Sequence, residues 1–461
     1  MQTPASDNVT LSVNPATGET ISVWQMAGAA DVEALLDQAH RAAAAWRHHS
    51  IAQRAEGLRN IARQLRQNKQ ALARLITLEM GKPLVESGAE VEKSAWNCEF
   101  VADNGPAWLV DEKVPTQARD SYLSFQPLGV VLSILPWNFP VWQIFRCAAS
   151  ALMAGNTIVL KHAPNVQGCA AMVTSLIAAA GLPADVFLNL HAPVSMIGKV
   201  IADRRIAAVA LTGSPAAGAK VAAQAGAVCK KSVLELGGSD AFIVLGDADL
   251  DAAVAAGVRA RFTNCGQVCL AAKRFIVDVS VAAEFTARFA QAAAALRRGD
   301  PLEAGVQLGP MARSDLRDGL EVQVRAALSA GATLVTGGHR PDGPGWYYEP
   351  TVLTSVTTTM PVAAEETFGP VAAILVANDA EQAIAMANDS VFGLSAMLWT
   401  ADLDRARTLA RLLEVGSVFI NSVTASDPRL PVGGIKLSGY GRELGRTGML
   451  ELCNVKTVWI A

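Results

Sequence analysis

The residues Val130-Val131-Leu132-Ser133-Ile134-Leu135 form a short and almost unbroken apolar run. A strand with one wet face would alternate, so this run fits a strand covered on both faces. It opens a series. Residues 144–154 read as helix, 157–160 as strand, 166–180 as helix closed by Gly181 and Pro183, and 186–190 and 206–211 as further strands. A second series follows, with strands at 241–245, 275–277, 371–376, 396–399 and 417–420 separated by helical segments. Strands alternating with helices of about ten to fifteen residues mean parallel sheets wrapped by helices, the α/β class, an architecture that often carries dinucleotides. At 461 residues the chain is too long for one core, and two or three domains are expected. The first hundred residues read instead as helices. There Ser50 and Gln53 make a capping box, and Gly81 with Pro83 stops the helix that carries Leu72, Leu75, Ile76 and Leu78.

Several function classes are disfavoured by composition. Hydrophobic residues make up 51% and charged residues 18%, which places the chain among globular proteins. The 39 basic and 42 acidic side chains leave a net charge of -3, so nothing steers toward nucleic acid or an anionic membrane. No apolar stretch reaches the roughly 18 to 20 residues that cross a bilayer. Residues 1–10 are polar and lack a basic region followed by an apolar one, and the seven scattered cysteines do not form a disulfide framework. A reducing, cytoplasmic location is therefore expected. The six histidines show no metal-ligand spacing with each other or with cysteine, so no metal is expected.

Four short segments could carry chemistry. In Leu211-Thr212-Gly213-Ser214-Pro215 a strand ends, Ser214 can cap the next helix and Pro215 fits its first position, a place that attracts phosphate. The Gly-x-Gly-x-x-Gly fingerprint is missing, and read alone the segment is an ordinary strand–helix turn. In Asn264-Cys265-Gly266-Gln267-Val268-Cys269 a glycine precedes a thiol, and a nucleophilic Cys269 needs a partly exposed, electropositive setting. Read alone, most free cysteines are packing residues. Glu235, in Val233-Leu234-Glu235-Leu236-Gly237-Gly238, is an acid among apolar residues, where burial raises the pKa toward that of a general base for water; a structural ion pair is an equal reading. Asn138, in Pro136-Trp137-Asn138-Phe139-Pro140, is an amide held where it can donate to an oxyanion, or else part of a turn with core aromatics.

Together these segments, in their order along the chain, with Lys161, Glu366-Thr367-Phe368-Gly369-Pro370 and Gly441-Arg442-Glu443, resemble the aldehyde dehydrogenase superfamily. The resemblance runs from Asn14-Pro15-Ala16-Thr17-Gly18 to Trp459. It implies two parallel-sheet α/β domains, a Rossmann-like cofactor domain and a catalytic domain, plus a small oligomerisation β element. The expected divisions are 1–115 and 128–236 for the first, 237–438 for the second, and 116–127 with 439–461 for the third. Strands near 121–126 and 456–460 are expected to pair across subunits, giving a homodimer or homotetramer.

The same resemblance assigns roles. Cys269 matches the nucleophile that passes through a thiohemiacetal and a thioester, Asn138 the oxyanion donor, and Glu235 the base that activates water. Lys161 and Glu366 match the positions that hold the two riboses of NAD or NADP, Gly213 and Ser214 the pyrophosphate turn, and Phe368 and Trp137 the surroundings of the nicotinamide. Retention of Glu235 favours hydrolysis of the thioester over transfer to coenzyme A. The retained set also argues against a catalytically dead nucleotide-binding structural protein, which stays a rival reading together with a cofactor-free cysteine hydrolase.

Lys161-His162-Ala163-Pro164-Asn165 resembles the bacterial succinate semialdehyde dehydrogenases. Relatives of that kind place an arginine where Arg146 stands, and a guanidinium forks onto a carboxylate. Many carry a second arginine where this chain has Thr263, with Arg261 two positions earlier. Ser426 and Arg429, in Ser426-Asp427-Pro428-Arg429 on the loop that matches the substrate-pocket wall, are the further expected substrate contacts; Arg429 could substitute for the missing arginine, or it could be merely solvated. Glutarate semialdehyde and a medium-chain aldehyde stay open as substrates. Pro164 replaces the glutamate by which NAD-selective relatives repel a 2′-phosphate, so NADP is expected to be accepted along with NAD. A disulfide between Cys265 and Cys269 would need a tightly turned loop, and packing is the preferred reading for Cys265.

Overall fold

The structure is a computed structural model that describes residues 8–461. Most of the polar stretch 1–10 lies outside the described residues. A parallel sheet holds Lys231–Glu235, Ile206–Thr212, Val130–Leu135, Thr157–His162 and Phe187–Asn189 in that order, and Gly439–Tyr440 adds an antiparallel edge. The chain enters at Val130–Leu135, runs out to one edge, then crosses back to Ile206–Thr212 on the other side. The strand order therefore reverses between Val130–Leu135 and Ile206–Thr212. In open α/β sheets the crevice beyond the carboxyl ends of two such strands is where ligands bind, and here those ends lead into Pro136-Trp137-Asn138 and Gly213-Ser214.

Burial explains why these residues make strands. Five of the six side chains of Val130–Leu135 are buried, because helices cover both faces of the sheet. The helix Trp142–Ala154 is buried along its whole length and packs against the long helix Leu84–Trp108. A second sheet orders Thr333–Thr336, Thr351–Thr354, Val371–Ala377, Ala272–Asp278, Asp240–Val244, Ser395–Trp399 and Ser417–Ile420, all parallel except the first pair. Only Leu236-Gly237-Gly238-Ser239 separates the last parallel strand of the first sheet from the entry strand of the second. The carboxyl end of one sheet is thus tied to the amino end of the other.

The third sheet places Asp120–Pro127 between Glu112–Lys113 and Cys453–Ile460. Its first strand starts at Glu112, Gly439–Tyr440 adds to the first sheet, and within the chain the two long strands pair with each other, with Ser121 opposite Trp459, which leaves Cys453–Ile460 as the outer edge. A hairpin of Val9–Val13 and Thr20–Gln25 also precedes the expected helices. Its strands are five and six residues long and largely unburied, so they lack the apolar run that marks a central strand.

Candidate active site

Cys269 follows a backbone that few sequences adopt. Asn264, Cys265 and Gly266 are left-handed in succession, with φ of 52°, 53° and 71°. For the two residues with side chains that conformation costs roughly 1–2 kcal/mol each, so surrounding bonds must hold it. Asn264 N–H donates to Glu86 at 2.9 Å, and its side-chain amide donates to the Asn138 carbonyl at 2.8 Å. Arg261 donates to the carbonyls of Gly266 and Gly369, each at 2.7 Å, and to that of Ala272 at 3.1 Å. Arg261 is therefore spent on the loop and is not a substrate contact. Lys273, fully buried, donates to the Cys269 carbonyl at 2.6 Å and pairs with Glu366 at 3.3 Å. Gly266 has no alternative, because a Cβ there would collide with the Gly369 carbonyl.

The loop sets Cys269 where two cavities meet. The larger, about 460 Å³, is lined by Phe139, Trp142, Arg146, Lys93, Ser426 and Val268 among others. The smaller, about 230 Å³, is lined by Trp137, Asn138, Thr212, Gly213, Ser214, Leu316, Glu366 and Phe368. Its rings of Trp137 and Phe368 meet edge to face at 5.8 Å. Asn138 is buried, donates to the Gln267 carbonyl at 3.0 Å and accepts from Gln143 at 3.1 Å. One of its two amide hydrogens is thereby fixed and the other stays available.

Burial pushes the Cys269 thiol up to about 11, against the pull of Arg146 and Lys273. The electropositive setting expected from the sequence exists, but desolvation outweighs it. Cys265 is fully buried in the core of the second sheet, which fits packing. Glu235 is raised well above the carboxylate range by burial, opposed by Arg146. Its Oε1 has no hydrogen-bond partner and no cation lies within 4.0 Å among the described residues, so it is not held in an ion pair. The carboxylate sits beside Gly433, behind the walls of both cavities instead of on them.

Arg146 reaches the larger cavity but is not the free fork that the sequence implies. Its Nε pairs with Glu443, and its Nη2 donates to Thr212 Oγ1 at 2.9 Å. Arg429 is not brought to the cavity. It is exposed, pairs with Asp427 at 2.7 Å and lies over the Trp96 ring. Lys161 is the penultimate residue of the strand Thr157–His162 and does not line the smaller cavity, and its amine is lowered by burial alone. Two residues escaped the sequence reading: Lys273, whose signal was a charged pair opening an apolar strand just after Cys269, and Lys93, which has no signal on its long helix.

The lining of the smaller cavity fits the nicotinamide end of a dinucleotide. Ser214 caps the helix Pro215–Gly226, accepting from Ala217 N–H at 3.3 Å, so this helix N-terminus faces the strand-order reversal. Gly237 brings its backbone so close to Glu366 that a Cβ would displace the carboxylate from the cavity wall. Among the described residues no group of three or more His, Cys, Asp or Glu could hold a metal ion, and no helix is long and apolar enough to cross a membrane.

Residues 2–458 match the Aldehyde dehydrogenase family. The chain is 51% identical to succinate semialdehyde dehydrogenase [NAD(P)+] of Escherichia coli K12, over 99% of this chain and 98% of the relative. It is 48% identical to a probable succinate-semialdehyde dehydrogenase [NADP(+)] of Synechocystis, covering 98% and 99%. Among solved structures it is similar to the succinic semialdehyde dehydrogenase of Streptococcus pyogenes in complex with NADP+, with a TM-score of 0.96, 35% identity and coverage of 98% and 99%. With a family match over nearly its whole length and an α/β architecture shared with solved members, this chain belongs to the aldehyde dehydrogenase family.

Proposed function

We propose that the protein oxidises an aldehyde bearing a distal carboxylate, succinate semialdehyde in the first instance, to the dicarboxylic acid with NAD+ or NADP+. The observation that carries this reading is the position of Cys269 between two cavities, one lined by Arg146 and Lys93 and the other by the Gly213-Ser214 turn. With its pKa near 11, the thiol is almost wholly protonated at neutral pH, so attack on the aldehyde carbon needs a proton acceptor. Glu235 is a buried carboxylate whose charge bears on Cys269 and which no cation neutralises at close range. Asn138 donates to the oxygen of the resulting thiohemiacetal. The bound nicotinamide supplies the acceptor for the hydride that leaves this carbon. Glu235 gives up the thiol proton to solvent, and then takes a proton from the water that cleaves the Cys269 thioester and returns it to the departing thiolate.

Trp137, Gly213, Ser214, Glu366 and Phe368 hold the nicotinamide half of the cofactor, and Lys161 the adenosine ribose. Pro164 supplies no carboxylate to oppose a 2′-phosphate, which supports use of NADP as well as NAD. A cytoplasmic setting fits seven cysteines that are all free. A homodimer or homotetramer fits the outer strand Cys453–Ile460, whose Val455, Trp459 and Ile460 are exposed.

The test follows reduced-nicotinamide absorbance with succinate semialdehyde and with hexanal, each with NAD+ and with NADP+. Turnover of the semialdehyde well above that of hexanal is expected, and Cys269→Ser abolishes it. Absence of reduction with either cofactor overturns the reading.

A further inference from the structure

Lys93 projects from the helix Leu84–Trp108 into the wall of the larger cavity. Its ammonium is half-buried, yet its partners are neutral. Nζ donates to Ser426 Oγ at 2.8 Å and lies 4.3 Å from the centre of the Trp142 ring. Among the described residues no carboxylate oxygen comes within 4.0 Å. The two fully buried lysines are treated differently by the fold, since Lys82 pairs with Glu90 and Lys273 with Glu366. A cation taken out of water without an anion is costly, and the fold that pairs its two fully buried lysines leaves half-buried Lys93 beside an open cavity with only neutral partners.

Other cations near the cavity are less available. Arg146 is engaged by Glu443 and Thr212, Arg261 is spent on backbone carbonyls, and Arg429 is tied to Asp427 outside the lining. Arg259 reaches the cavity from an exposed position, where water screens it. Thr263, which stands where relatives have a second arginine, gives its hydroxyl hydrogen to the Arg259 carbonyl at 2.8 Å.

We propose that Lys93, joined to the expected substrate contact Ser426, binds the carboxylate of the substrate while its aldehyde end meets Cys269. Because Ser426 Oγ accepts from Lys93, its own hydrogen is left to donate, so two donors converge on one planar anion. Trp142 beneath the ammonium walls the apolar stretch between them. Burial, with Arg146 and Lys82 adding and Asp427 and Glu90 opposing, lowers the Lys93 amine to about 8, as fits a cation that awaits its anion. This assignment rests on the function proposed above.

The test compares kcat/KM for succinate semialdehyde and for butanal, which has the same carbon count and no carboxylate, in the wild type and in Lys93→Met. The semialdehyde-to-butanal ratio is expected to fall by about 10- to 100-fold in the variant, mainly through KM, and Lys93→Arg is expected to restore part of it. An unchanged ratio in a folded Lys93→Met, with wild-type preference intact, overturns the anchor and leaves the proposed function standing. No preference in the wild type overturns both. Should Lys93→Met fail to fold, Lys93→Gln decides: a selective loss on the semialdehyde supports the anchor, and an unchanged ratio overturns it.

Discussion

The carboxylate of Glu443 pairs with the guanidinium of Arg146 inside the protein, joining the C-terminal segment to the first helix after the Asn138 turn. Both groups are buried, and both act on Glu235: Arg146 lowers its pKa, whereas Glu443 adds to the rise caused by burial. Glu443→Gln leaves a buried guanidinium without its anion, so unfolding in denaturant should show a loss of about 3–5 kcal/mol.

The same variant has a signature in the pH profile. A general base works deprotonated, so a raised pKa means that activity falls as pH drops through that value. Removing the Glu443 charge removes one cause of the rise, and the Glu235 pKa moves down. The acidic limb of kcat is therefore expected to shift to lower pH in Glu443→Gln. A limb that stays put or moves up would show that Glu443 does not act on the base.

Cys269 should alkylate slowly at neutral pH. A thiol near 11 gains thiolate about tenfold per pH unit between 7 and 9, so iodoacetamide labelling should rise about a hundredfold over that range. Peptide-resolved mass spectrometry is needed, because Cys229 is exposed and reacts independently. A rate that levels off below pH 8 would mean that Arg146 and Lys273 outweigh burial after all.

The central strands were legible because burial on both faces leaves an apolar run with no periodic polar partner, as in Val130–Leu135 and Val371–Ala377. Thr333–Thr336 was not, since its residues are mostly exposed and carry no such run. The candidate site residues stood out because they lie in short segments whose order resembles a family, and the structure brings Cys269, Asn138, Trp137, Gly213, Ser214, Glu366 and Phe368 to one cavity. Their partners could not. The Arg146 guanidinium meets Glu443 and Thr212, which are distant in sequence, so its commitment is set only by the packed structure. A lysine on a long helix looks solvated in any sequence, and only the cavity beside Ser426 distinguishes Lys93.

Gly266→Ala tests how far the loop before Cys269 depends on its conformation. The position has φ of 71°, and the new methyl would meet the Gly369 carbonyl that Arg261 holds. Left-handed strain and overpacking together predict a loss of about 2–4 kcal/mol. A displaced thiol should also cut kcat by about a hundredfold or more. Unchanged kcat in a folded variant would show that the loop can shift without moving Cys269.

Cofactor choice can be tested at Pro164, an exposed residue that follows Lys161 by three positions. Nothing anionic bears on the Lys161 amine, which only burial perturbs, so it is free to meet a phosphate. In Pro164→Glu a carboxylate would compete for that amine and repel a 2′-phosphate, while a ribose hydroxyl could still donate to it. We expect kcat/KM with NADP+ to fall by about 10- to 100-fold, with the value for NAD+ held within about threefold. Lys161→Met should likewise lower NADP+ use more than NAD+ use. Equal losses with both cofactors in Pro164→Glu would place the adenosine ribose elsewhere, because a charge that discriminates the phosphate has to lie within reach of it.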